Sequence, residues 1–369
     1  MTDSTAEHEE KLERLARLAQ TGAFAGVLLA THHNIAWLTS GRHNRVDSTR
    51  ETGSARLLVT ADGRRYVLAN AIEMPRMLDE VLAGLDYQPI EYPWTEDQDA
   101  AHAVRAARGV RGSGGRLAAD WPLPDTTAIE TLLMRARARL TDGEVARYRA
   151  LGRDAGLALG HLCRTLTPGD VEIDIARGIA NAAARIRARA VVALVGADER
   201  LRRYRHPVPT NTAWKHAVML ALCAERDGLI VSLSRVMAAG APADLDARTR
   251  AAASVFGRVL AATRPRATGA QLYDVLARAY TDAGYGDDIL RHHQGGAIGY
   301  RARDWVAHPQ SQEVVEERQA FAWNPTVTGT KVEDTALVLG DRIEVITSTP
   351  DWPSIDIEGE LKASGVWRL

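Results

Sequence analysis

The stretch FAWNPTVTGTKVEDTALVL, residues 321–339, decides how this chain is read. An apolar run leads into Asn324-Pro325, where the proline withdraws a backbone donor and signals a turn. A second turn follows at Thr328–Thr330, and Glu333-Asp334 then runs straight into the apolar segment Thr335–Leu339. Two carboxylates at the mouth of a buried strand cost free energy unless partners offset them. The segment therefore reads as core strands with a polar site at their junction, and it raises the question of what Glu333 holds.

Working outward, strand-like runs recur at AVVALVG (190–196), HAVMLALCAERDGLIVSLSRVM (216–237) and RIEVIT (342–347), and helical periodicity at 244–263 and 269–284. Residues 126–165 are dense in Ala, Leu and Arg and read as one or two long helices that contain the domain boundary. Before them come an amphipathic helix (8–20), a strand (25–31), a hairpin turning at Asp62-Gly63 (55–70), a helical stretch (71–84) and a turn or loop, RGSGG (111–115). Strand runs with helices segregated among them predict an α+β chain of two domains, a smaller α/β domain over 1–135 and a larger one over 136–369. Formal net charge is −1, a balance that favours neither nucleic acid nor an anionic membrane as partner. Two cysteines, Cys163 and Cys223, are too few for a disulfide scaffold and read as core thiols of a cytoplasmic protein. The polar N-terminus does not resemble a signal peptide, and no apolar run reaches the roughly 20 residues that span a bilayer.

Four segments in order resemble the pita-bread fold of the creatinase, aminopeptidase P and prolidase family. RHPVPTN (205–211) resembles the strand with that family's substrate-site histidine, here His206. LALCAERDGLIVSLSRV (220–236) has the spacing of its D-x10-D hairpin, HHQGGAIGY (292–300) is similar to H-G-x-G-H-G-x-G-L, and AWNPTVTGTKVEDTALV (322–338) is similar to the ending I-E-P-G … E-D-T-x-L-V. The likeness covers roughly 140–350, and HNIAWLTSG (33–41) resembles part of the N-terminal domain of the long members. The resemblance implies five metal-ligand positions. They are occupied here by Ala221, Ser232, Gly296, Asn324 and Glu333, so a single carboxylate survives. Hard divalent ions need several oxygen ligands and their countercharge. The expectation is a divergent member with no metal and no cofactor.

Metal-free creatinase is the relative that then guides the site. His206, Glu333 and Asn324 are the expected catalytic set, and His292, His293, Arg303, Lys331, Ser232 and Arg45 the expected substrate-binding set. Histidine titrates near neutrality and moves protons at physiological pH. A carboxylate orients it or activates water, and Asn324 can donate a hydrogen bond that an ionised glutamate cannot. Adjacent side chains on an extended segment point to opposite faces, so one of His292 and His293 is expected in the pocket. Gly296, in place of the family's histidine, is expected to open room for substrate, and Ser232 and Ser234 to replace lost acids as hydrogen-bonding groups. Arg303 falls where the peptidases place a second substrate histidine. Arg45 lies in TSGRHNRVDSTR (39–50), comparable to a loop that in creatinase-like dimers reaches the partner's substrate, so a homodimer is expected. The function expected is metal-independent cleavage, hydrolysis first, of a C–N bond in a small amino-acid-derived substrate. The alternatives are a non-catalytic ligand- or peptide-binding pita-bread domain and a metal-dependent Xaa-Pro peptidase.

Overall fold

The computed structural model of the protein describes residues 2–96, 100–110, 115–240, 242–357 and 361–369. The RGSGG turn expected at 111–115 lies, apart from Gly115, outside the described residues. Two compact units divide the chain, Met1–Glu144 and Val145–Leu369. The boundary placed at 135/136 from composition falls inside the helix Glu130–Ala138 of the first unit.

In the first unit, β1 (Gly26–Thr31), β2 (Thr52–Thr60), β3 (Arg65–Asn70), β4 (Gln88–Tyr92), β5 (Leu117–Ala119) and β6 (Thr126–Ala128) form one mixed sheet in the order β4-β3-β2-β1-β5-β6. The β2–β3 hairpin turns through Gly63, whose φ of 85° an L side chain adopts only with strain. Leu28, Leu58, Leu68 and Leu117 bury one core of this unit. Lys11, fully buried on the helix Thr2–Thr21, is paired with Glu7 at 2.6 Å and Glu144 at 2.7 Å.

The second unit holds β7 (Arg189–Ala197), β8 (Ala217–Arg226), β9 (Leu229–Ala238), β10 (Gly295–Ile298), β11 (Trp305–Val306), β12 (Ala320–Trp323), β13 (Thr326–Val327), β14 (Thr330–Lys331), β15 (Asp334–Leu339), β16 (Arg342–Val345), β17 (Ser354–Asp356), β18 (Lys362–Ser364) and β19 (Val366–Arg368). One sheet runs β19-β9-β8-β7 and another β11-β10-β12-β15-β16. β8 and β9 are buried almost end to end, which is why they read as unbroken apolar runs instead of alternating ones. Their turn, Asp227 (φ 51°) and Gly228 (φ 75°), is the two-residue Asp-Gly hairpin that matches the right-handed twist of the strands.

The two sheets meet where Ser234 pairs with Glu333 as an isolated bridge, the Ser234 N–H donating to the Glu333 carbonyl at 3.1 Å. Arg235, fully buried, clamps that junction. Its guanidinium donates to Asp334 at 3.0 Å, to the Thr347 carbonyl at 2.7 Å and to Thr349 Oγ1 at 2.8 Å. This is why Asp334 tolerates its buried place at the strand mouth. The helix Asp142–Thr165 lies against the segment that follows β16. A Cβ on Gly156 would stand 2.3 Å from the Ser348 carbonyl oxygen, so only glycine permits the approach. The helices at Leu245–Ala262 and Gly269–Asp282 match their sequence reading, and the latter starts with a Thr268/Gln271 capping box. The helix Glu172–Arg185 was not anticipated. Among the described residues, no helix is long and apolar enough to cross a membrane.

Candidate active site

A cavity of about 220 Å³ opens where β8, β9, β14 and the start of β15 converge. It is lined by Val192, Leu194, Ala221, Leu222 and Cys223 on the apolar side, and by His206, Ser232, His293, Arg303, Asn324, Lys331 and Glu333 on the polar side. Most of the expected site residues are therefore brought together. Arg45 belongs to the first unit, in the loop before β2, and is not among these lining residues.

Glu333 is 4% exposed and has its carboxylate fully engaged. Ser232 Oγ donates to its Oε1 at 2.6 Å and Ser234 Oγ to its Oε2. Arg303 Nη2 lies 3.4 Å from Oε1 and Lys331 Nζ 3.9 Å from Oε2. Burial alone would raise its pKa, but Lys331, Arg303 and the two serines outweigh burial and hold it down at about 2. Glu333 is thus an anion at neutral pH. Burial, followed by Arg303, lowers the pKa of Lys331, against the pull of Glu333. Both serines act as hydrogen-bond donors to this carboxylate.

His206 stands in a bend after the helix Asp198–Arg203, not on the strand expected. Pro207 has no N–H to give a ladder, and its carbonyl accepts from Val195 at the edge of β7. The hydrogen-bond partner of His206 is His292, with their Nε2 atoms 3.0 Å apart. His293 stacks on His292 with ring centroids 4.5 Å apart and planes at 23°. Of the two, His293 lines the cavity and His292 does not, although His292 meets His206 beside it. The chain turns sharply from His292, which is extended, to Gly295 at φ 105°, and both rings stay on one side with His206. Burial comes first among the causes lowering the pKa of all three, reinforced by nearby positive charge. His293 falls to about 4, and His292 and His206 also lie below the ordinary value.

Asn324 is 2% exposed, lines the cavity, and its Oδ1 has no hydrogen-bond partner. An unpaired buried acceptor is costly, which makes it a natural contact for a ligand. Gly296 does not enlarge the cavity as expected. A Cβ there would stand 2.1 Å from the Trp305 carbonyl oxygen, because β11 pairs directly across it. Cys223, read as a core thiol, lines the cavity and contacts Ser232 at 3.2 Å, and burial and then Glu333 raise its pKa. The signal was available, since a hairpin closed at Asp227-Gly228 places Cys223 opposite Ser232.

The dinuclear metal centre that the family resemblance implies does not fit these residues. Among the described lining residues Glu333 is the one carboxylate, both its oxygens accept from serines, and two protein cations already balance it. Ala221 offers no donor atom, and the backbone of β11 fills the place of a side chain at 296. Arg303 and Lys331 against Glu333 leave the lining with one positive charge in excess.

A family model described as metallopeptidase family M24 matches residues 146–346, more than half of the chain. No curated protein matches it. Among solved structures the chain is similar to dipeptidase PepE from Mycobacterium ulcerans, at 17% identity over 99% of each chain with a TM-score of 0.78. It is similar to a dipeptidase from Pyrococcus horikoshii OT3, at 18% identity over 97% of this chain and 100% of that one with a TM-score of 0.78. A Xaa-Pro dipeptidase from Bacillus anthracis matches at 17% identity over 98% and 100%, with a TM-score of 0.75. At these identities the likeness establishes the fold.

Proposed function

The chain belongs to metallopeptidase family M24 and has its pita-bread fold, and on that premise we propose that it hydrolyses a C–N bond in a small, carboxylate-bearing, amino-acid-derived molecule without the family's two-metal centre. The observation that carries this reading is the state of Glu333, whose charge is met by Lys331, Arg303 and two serines. The surplus positive charge suits an anionic group on the substrate. In this reading the neutral His206 ring accepts a proton from the attacking water and returns it to the leaving nitrogen, with His292 able to share that proton across the 3.0 Å contact. Asn324 binds the polarised group next to the bond that breaks. Glu333 fixes Arg303 and Lys331 and carries no proton, a change from the expected His206–Glu333 pair.

The test is a turnover assay on chelator-treated protein with dipeptides, N-acyl amino acids and guanidino acids. Activity should survive chelation, and His206→Ala should lower kcat by about 10²–10⁴-fold, the usual share of acid–base catalysis. Full dependence on added metal, with His206→Ala unaffected, would overturn the reading. It would favour the second one, a metal-dependent Xaa-Pro peptidase, for which the family match itself speaks.

A further inference from the structure

The three histidines form a cluster that the acid–base reading does not exhaust. One ring nitrogen from each of His206, His292 and His293 lies within 4.8 Å of the other two. The closest pair, His206 Nε2 and His292 Nε2, is 3.0 Å apart. A tetrahedral ion bonded to imidazole at about 2.0–2.1 Å needs ligand nitrogens roughly 3.4 Å apart. His206 is the exposed member, the ring of the three that packing leaves freest to turn. His292 is 9% exposed, so its surroundings hold the ring in place beside the other two. His206 and His293 also line the cavity, so an ion held by the three would face open space on its remaining side.

We propose that His206, His292 and His293 form a site for one exchangeable transition-metal dication, separate from the carboxylate positions of the family, and that the ion switches the cavity off. Three imidazoles suit zinc, nickel, copper or cobalt, not the harder manganese or magnesium. The charges facing the cluster decide between a resident and an exchangeable ion. Arg303 and Lys331 bear on all three rings, and the one carboxylate among the described lining residues, Glu333, is already claimed by both cations and two serines. A dication there meets like charge and little countercharge, so it is held reversibly. The ion takes the lone pair with which His206 would accept a proton, so the two roles exclude each other. The switching rests on the proton-transfer role given to His206, whereas the binding does not.

The closing experiment therefore reads binding first. Chelator-stripped, full-length protein is titrated with Co²⁺, followed by visible absorption, and with Zn²⁺, followed by calorimetry. One ion per chain is expected. His292→Gln and His293→Gln, each shown by circular dichroism to be folded, should weaken it by at least about tenfold, since even outer-shell losses at metal sites cost 10–100-fold. No binding, or binding unchanged in both variants, overturns the site. On a substrate found by the turnover assay, Zn²⁺ should inhibit and a chelator should restore activity. Activation by Zn²⁺ overturns the switch while leaving the binding result standing.

Discussion

Glu333 is a buried anion with two serines on its oxygens and two cations beside it, and its worth to the fold is separable from any chemistry. Removing one partner of a buried ion pair costs about 3–5 kcal/mol, because the charge left behind is unmet. Glu333→Gln keeps the shape and both serine contacts but strands Lys331, which is 4% exposed. We expect a loss of stability of that size in urea unfolding. Adding Lys331→Met should recover most of it, since neutral replacements of a buried pair are often nearly neutral. A Glu333→Gln loss below about 1 kcal/mol would mean that the carboxylate is not held as described. Sequence alone exposed Glu333 as a charge in need of partners, and it put Lys331, Arg303 and Ser232 in the same expected site. It could not show that both carboxylate oxygens are taken, because that depends on Ser234 meeting Glu333 through a bridge between segments 99 residues apart.

At the scale of elements, close approach decides more than propensity. Gly156 lies mid-helix, where alanine would ordinarily be favoured by about 1 kcal/mol. The missing Cβ, however, would stand 2.3 Å from the Ser348 carbonyl oxygen, and overpacking of that kind costs about 1–3 kcal/mol. Gly156→Ala should therefore lower the melting temperature, and a rise would show that the segment after β16 gives way. Elements with a strong local signature were legible. The β8–β9 hairpin announced itself by two apolar runs around Asp-Gly, and the helix Gly269–Asp282 by its periodicity over 269–284. The helix Glu172–Arg185 was missed although Ile175, Ile179 and Ala183 recur at helical spacing behind two first-turn acids. Its start is obscured because Val171 is extended and bridges Ala213 before the helix begins. The β11 backbone over Gly296 was not legible at all, since a two-residue strand carries no periodicity.

For the molecule as a whole, the family resemblance implies a homodimer, and we expect light scattering to give a dimer mass at micromolar concentration. A monomer throughout would count against any part for Arg45 in a partner's site. The claim on which the account turns is that the cavity between the two sheets of the second unit no longer houses a carboxylate-bound metal pair. Mn²⁺ addresses it directly, because this ion prefers carboxylate and water oxygens and discriminates against a cluster of imidazoles. Chelator-stripped protein would be incubated with Mn²⁺ and desalted, and retained manganese measured by electron paramagnetic resonance after acid release. Well under one equivalent per chain is expected, with no change in Glu333→Gln. Two equivalents retained by the native protein and lost in Glu333→Gln would contradict it.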